Sequence, residues 1–280
     1  MNDLRIRTMR SDEIPIAVNW AAAEGWNPGL ADDVCFAAAD REGFFIGELD
    51  GAPAATISCV NYGGSFAFLG FYIVREDLRG RGYGLRIWDA AIAHAKARVI
   101  GLDGVVAQQD NYRKSGFQLA YANVRYGGTI ASSHPPQPGT IALTELPFAA
   151  VEAYDATVFP APRTAFLRQW IATAGHVGRA LMRDGRLAGF GVIRPCRKGR
   201  KIGPLFADDR AAAEAILSAL LASAGEGEIF LDVPGINRDA IALAQDFGLA
   251  PVFETARMYT GAIPPLRLDR VFGVTTFELG

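Results

Sequence analysis

From Ser11 to Gly25 the apolar residues Ile14, Ala17, Val18 and Ala21 fall on one face of a 3.6-residue period, which predicts an amphipathic helix. Ser11 stands as its N-cap, Asp12 and Glu13 follow in the first turn, and Pro15 sits where a helix tolerates proline. The stretch "GWNPG", 25–29, carries turn residues and predicts a loop; "ADDVCFAAADR", 31–41, predicts a second short helix. Beyond Gly43 the pattern changes to near-continuous apolar runs, interrupted at Asp50 and Gly51 and again at 62–65, and predicts three strands joined by two hairpins. The helical period then returns, with Leu85, Trp88, Ile92 and Ala95 on one face of a helix reaching Ile100. Gly101 and Gly104 mark a break, 105–109 reads as a short strand, 111–117 as a turn of helix, and 118–128 as another strand.

The segment "SSHPPQPGT", 132–140, is rich in proline and glycine and predicts a linker. After it the succession restarts. A hairpin spans 178–195, a strand 199–207, and an alanine-rich helix 208–225 begins at Asp208 or Asp209. A strand covers 228–234, a helix runs from an Asn237 cap to Gly248, and a last strand begins at Arg257. Gly51 precedes Gly116 by 65 positions and Gly185 precedes Gly248 by 63, so the halves keep one spacing. The pattern predicts an α/β chain built by internal duplication, 1–131 and 141–280 about a linker at 132–140. Two unrelated α/β segments with similar turn chemistry are the alternative.

Composition narrows the function more than the fold. The net charge is −2 with no run of Lys and Arg, so no long-range field favours nucleic acid. The most basic cluster, "RPCRKGRK" at 194–201, reads as a solvated turn. No apolar stretch approaches the roughly 20 residues that a bilayer span requires. The charged start "MNDLRIRTMRSDE" has no apolar signal core, and a cytoplasmic protein without membrane contact is expected. Cys35, Cys59 and Cys196 are far apart and in apolar company, as free buried thiols are; His94, His134 and His176 are isolated, and no metal is expected.

Candidate chemistry concentrates in "VREDLRGRGYGLRIW", 74–88, where Gly80, Gly82 and Gly84 alternate after a strand and before a helix. Such a place aims free backbone N–H groups and the positive helix end at one point, a seat for an anion. A tight strand-to-helix turn without a ligand is the structural alternative. A Rossmann fingerprint would need glycine at Leu85, and a Walker loop would need Gly-Lys-Ser/Thr; neither is present. The pattern R-x-x-G-x-G is present as Arg79, Gly82 and Gly84, with an arginine to add charge to an amide cradle for pyrophosphate.

These residues resemble the acyl-CoA pyrophosphate loop of the GNAT superfamily of N-acetyltransferases, and "NYRKSGF", 111–117, resembles that family's second signature at the right separation. The resemblance covers 4–128. It implies two GNAT-like modules, each a mixed, mostly antiparallel twisted sheet flanked by helices. It implies that the backbone at Arg79, Gly80, Arg81, Gly82, Tyr83 and Gly84 holds the pyrophosphate, and that the strand ending at Ile73 and Val74 pairs with the pantetheine arm. Tyr112 falls where the family places a tyrosine that protonates the departing thiolate; a half-buried helix aromatic is its structural reading. The family often takes its base from the strand before the loop, but "FAFLGFYIV" has no acid.

The acceptor site is expected around "AEGWNPG", 23–29. Glu24 is the candidate proton acceptor, and Trp26 and Asn27 are pocket residues, with Tyr72 as a further one. A capped helix end whose Trp fills the core remains the alternative for this stretch. In the second module "FADDRAA" replaces the glycine loop, and its acids would repel a pyrophosphate, so this copy is read as degenerate. Asp232 either faces the acceptor or caps the next turn. The implied function is transfer of an acyl group, acetyl from acetyl-CoA, to a primary amine of a small molecule by direct attack, in a monomer or homodimer. A non-catalytic acyl-CoA sensor is the alternative.

Overall fold

Two successions of elements follow one another in the computed structural model, which describes residues 4–130 and 138–280. The first comprises β1 (Arg5–Thr8), α1 (Ile14–Ala23), α2 (Asp32–Ala37), β2 (Phe44–Leu49), β3 (Ala52–Tyr62), β4 (Phe66–Val74), α3 (Tyr83–Ala95), β5 (Val99–Val105), α4 (Gln109–Lys114) and β6 (Phe117–Ile130). The second comprises β7 (Thr140–Ala142), α5 (Phe148–Asp155), α6 (Thr164–Ala172), β8 (Val177–Arg183), β9 (Arg186–Pro195), β10 (Arg200–Ala207), α7 (Arg210–Ala224), β11 (Gly227–Pro234), α8 (Arg238–Asp246), β12 (Ala250–Thr260) and β13 (Val271–Gly273). From β2 to β6 and from β8 to β12 the order is the same, as the repeated spacing predicts. Most of the linker at 132–140 lies outside the described residues.

The two halves do not form separate sheets. One mixed sheet runs β1-β2-β3-β4-β5-β12-β6-β11-β10-β9-β8-β7, with β13 on β10. β12 of the second half lies between β5 and β6 of the first and pairs antiparallel with both: Arg257 sits opposite Asp103 on one side and Tyr121 on the other. Among the described residues, only β4–β5 and β10–β11 are parallel pairs.

Each parallel pair is short, and its strands then diverge. The first ends at Leu69 opposite Leu102. At Phe71, where φ is +49°, β4 bulges away, and the Thr56 hydroxyl donates to the Phe71 carbonyl at 2.9 Å. The result is an open V between β4 and β5. The second pair ends at Ile202 opposite Leu231, and there β13 fills the gap: Phe206 pairs with Val271 and Leu205 with Gly273. The Val274 amide donates to the Asp232 carbonyl at 2.8 Å. A segment of the chain therefore fills the second V, and the first is left open.

The halves share a core. The Phe36 and Trp170 rings stack with centroids 6.4 Å apart, and Phe166 packs against both. Three buried ion pairs cross the same boundary: Arg194 with Asp32, Arg125 with Asp232, and Arg257 with Asp103. Among the described residues, no helix is long and apolar enough to cross a membrane.

Several local expectations shift. Ser11 is not an N-cap: it opens a 3-10 turn at Ser11–Glu13, and the carboxylate of Glu13 accepts the Arg10 amide at 2.8 Å. The helix predicted to reach Ile100 stops at Ala95, and Gly101 and Gly104 lie inside β5. Residues Val106–Gln108 form a 3-10 turn in place of a strand. The strand expected from Arg257 begins earlier, at Ala250. Asn237 and Asp209 cap their helices as predicted, accepting from Ala240 and Ala212 amides at 3.1 and 2.9 Å.

Candidate active site

The open V between β4 and β5 is a cleft of about 530 Å³. One end meets the glycine run and the start of α3; the other reaches β12 and the C-terminal segment. The glycines serve different needs. Gly80 and Gly82 have φ of +76° and +82° with open space beyond their Cα atoms, so the turn needs left-handed residues and leaves room above its amides. Gly84 is needed for close approach: a Cβ there would lie 2.5 Å from the Tyr72 hydroxyl. Tyr83, Gly84 and Leu85 open α3, and a helix cannot bond these first N–H groups within itself. Gly80, Gly82, Gly84 and Leu85 line this end of the cleft, where free helix-start amides and the positive end of a helix suit a diphosphate.

Of the residues expected to hold a cofactor, Ile73, Val74, Arg79, Gly80, Gly82 and Gly84 line the cleft. Arg81 is exposed outside the lining, and Tyr83 turns its ring toward Leu4 and Leu78, so those two would contribute backbone alone. Arg79 is tethered: its Nε donates to the Val74 carbonyl at 2.9 Å, and its other end is ion-paired with Glu24 across the cleft rim.

Tyr112 and Tyr72 stand together over the middle of the cleft around Trp88. Trp88 stacks on Tyr112 at 5.7 Å and meets the Tyr72 ring edge-on at 5.2 Å. Gly104 makes room for the Tyr112 ring, which a Cβ would strike. Burial pushes the Tyr112 hydroxyl up to about 12 and raises that of Tyr72 as well, so both keep their protons at neutral pH.

On the acceptor side, Glu24 and Trp26 line the cleft, and the Trp26 carbonyl accepts from Arg125 at 2.8 Å. Asn27 lies outside the lining. With φ of +53°, it spans to the second half through its side-chain amide, which accepts the Lys198 N–H at 2.8 Å and donates to the Lys198 carbonyl at 3.0 Å. Asp232 does not reach the cleft: it is buried, and Arg125 grips both its oxygens at 2.6 and 2.8 Å. That guanidinium holds the Asp232 carboxyl below the usual carboxylate range despite burial, which on its own would raise it.

The cleft's deep end is built by residues that carried no local signal. Phe253 and Thr255 of β12 and Phe277 and Glu278 of the C-terminal segment line it, beside Asp103 of β5. Asp103 is engaged by Arg257 at 2.6 and 2.8 Å and by Asn123 at 2.7 Å. Glu278 Oε2 and Thr255 Oγ1 are buried without a hydrogen-bond partner among the described residues. Burial raises the Glu278 carboxyl above its ordinary value. No cluster of three or more metal-ligating side chains occurs among the described residues.

A glycine turn at the end of a splayed strand, with Tyr112 in the same cleft, agrees with the layout that the family resemblance implies. Residues 6–117 match the acetyltransferase (GNAT) family, and residues 151–273 match an acetyltransferase (GNAT) domain. Over 270 residues the chain is 32% identical to the holothin acyltransferase of Pseudoalteromonas sp. (strain SANK 73390), spanning 96% of this chain and 92% of that relative. A candidate acetyltransferase from Pyrococcus horikoshii superposes with a TM-score of 0.83 at 23% identity, over 99% of this chain and 96% of that one. A tandem GNAT protein from the clavulanic acid biosynthesis pathway superposes with a TM-score of 0.58 at 16% identity, over 93% of this chain and 100% of that one. The chain belongs to the GNAT acyltransferases and carries two GNAT domains.

Proposed function

We propose that this protein transfers an acyl group, acetyl by preference, from acyl-CoA to a primary amine of a small molecule by direct attack within a ternary complex. The observation that carries the reading is one continuous cleft joining the glycine turn, the free edge of β4 and the Tyr112 hydroxyl. The turn and the first amides of α3 would hold the diphosphate. The edge of β4 at Ile73 and Val74, which β5 leaves unpaired, offers backbone groups to the pantetheine amides. Tyr112 would give its proton to the leaving thiolate as the C–S bond breaks. Glu24 and Trp26 would frame the mouth through which the amine enters.

The second half is proposed to bind no cofactor. Asp208 and Asp209 stand where the first half has its glycines, and β13 fills the corresponding V. A sensor that binds acyl-CoA without turnover is the second reading, favoured by the absence of an acid on β4.

Calorimetry with CoA, paired with thiol release from acetyl-CoA, tests both. Holothin is the first acceptor to offer, because the relative named for it spans nearly the whole chain. Binding with amine-dependent thiol release supports transfer. Binding with no release, from holothin or from a panel of small primary amines, supports the sensor. No binding of CoA sinks both.

A further inference from the structure

Direct transfer leaves one proton to be placed. The nitrogen that attacks the thioester must shed a proton as its bond to carbon forms, and β4 has no side chain to take it. Three carboxylates line the cleft. Glu24 is held by Arg79, and Asp103 is held by Arg257 and Asn123. Among the described residues, Glu278 alone of the three has a buried oxygen without a hydrogen-bond partner.

We propose that Glu278, carried into the first half's cleft by the C-terminal segment of the second half, accepts the amine proton during acyl transfer. The inference rests on the acyltransferase reading above. In the step, the amine lone pair forms the C–N bond and the C–S bond breaks. The N–H proton passes to the Glu278 carboxylate, and Tyr112 protonates the thiolate. Proton exchange with solvent then returns both side chains to their starting states, giving amide and free CoA thiol.

The position of Glu278 is tightly set. Its carbonyl lies so close to Gly70 of β4 that any Cβ there would run into it. The next carbonyl, of Leu279, accepts the Tyr62 hydroxyl at 3.0 Å, and the Leu279 amide donates to Thr276 Oγ1 at 2.9 Å. On the other side, the Phe277 ring lies 4.9 Å from the Arg125 guanidinium. Gly70 directly precedes the bulge at Phe71, so the Glu278 backbone is fixed beside the place where β4 turns away from β5, and Glu278 lines the cleft there.

Its surroundings suit a base. The charged groups that act on it are Lys201 of β10, Arg125 of β6, Arg194 of β9 and Asp32 of α2. Arg125 is neutralised by Asp232 and Arg194 by Asp32. Lys201 Nζ is also buried without a hydrogen-bond partner among the described residues, and burial lowers its proton affinity while raising that of Glu278. A carboxylate of raised proton affinity in a dry site is a stronger base than one in water.

The test compares wild type with Glu278→Gln and Glu278→Asp, using acetyl-CoA and the acceptor probe of the thiol-release assay. Glu278→Gln should bind CoA as wild type does and lower kcat by about 100-fold, the low end for loss of a general base. The wild-type rate should fall as pH drops through the raised carboxyl value, and that limb should vanish in Glu278→Gln; Glu278→Asp should recover part of the rate. Independently of turnover, protein labelled with 13C at glutamate carboxyls should show one that titrates above the usual range, missing in Glu278→Gln. A Glu278→Gln enzyme within threefold of wild type, or glutamates that all titrate normally, overturns the proposal. Either result with intact CoA binding leaves the acyltransferase reading standing; failure of wild type to bind CoA removes both.

Discussion

Tyr112 shows how one side chain's surroundings set its chemistry. Its hydroxyl is pushed up to about 12 by burial, so it holds its proton through the range in which a free tyrosine, near 10, would lose it. Replacing it with Phe should lower kcat by about 100-fold and leave CoA affinity unchanged, as steady-state kinetics and calorimetry would show. In the wild type, activity should show no decline at about pH 10 from loss of this proton. Gly104→Ala is a second check. The added methyl must displace the Tyr112 ring, costing about 1–3 kcal/mol by thermal unfolding and reducing kcat along with it. Tyr112 and the three glycines of the loop were readable because each motif is local, with its meaning carried by immediate neighbours. Glu278 and Thr255 were not, because only the distant placement of β12 and the C-terminal segment brings them to the cleft. Asp232 misled for a related reason: a strand-end carboxylate looks available until the arginine opposite it, Arg125, is known.

At the scale of elements, the strand–turn–helix unit from β4 to α3 carries the binding. Gly82→Val should put a branched side chain into a left-handed turn and over the amides. The expected outcome is loss of at least tenfold in CoA affinity by calorimetry, with about 1–2 kcal/mol of strain seen in unfolding. The hairpins of both halves were legible from Asp-Gly pairs at 50–51 and 184–185, whose positive φ values are what a tight hairpin requires. The end of α3 was not. The apolar period continues from Ala95 into Ile100, and only pairing of Val99–Leu102 with β4 converts that stretch to strand. α6 keeps Phe166, Leu167 and Trp170 on one buried face, a helical pattern of its own, whereas β13 is only three residues long and becomes a strand by pairing with β10.

At the scale of the whole molecule, the halves share one sheet and one core, and unfolding as a single unit is expected. Asp32 and Arg194 are fully buried and come from opposite halves, so Asp32→Ala leaves a guanidinium without its counter-charge. Removing one partner of such a pair costs about 3–5 kcal/mol, and chemical denaturation should record a loss of that size in one cooperative transition. Two transitions would show that the halves unfold independently. The duplication was readable from spacing, whereas the exchange of β12 was not, since either half's last strand carries the same pattern and either partner would satisfy it.

The position of β12 bears on how the protein is made. While a nascent chain is still leaving the ribosome, β5 and β6 each present an edge with no neighbour, and these edges stay open until residues 250–260 emerge. Synthesis of the first half alone therefore leaves β5, one wall of the cleft, with an open edge, and a truncated product is expected to pair there with a copy of itself.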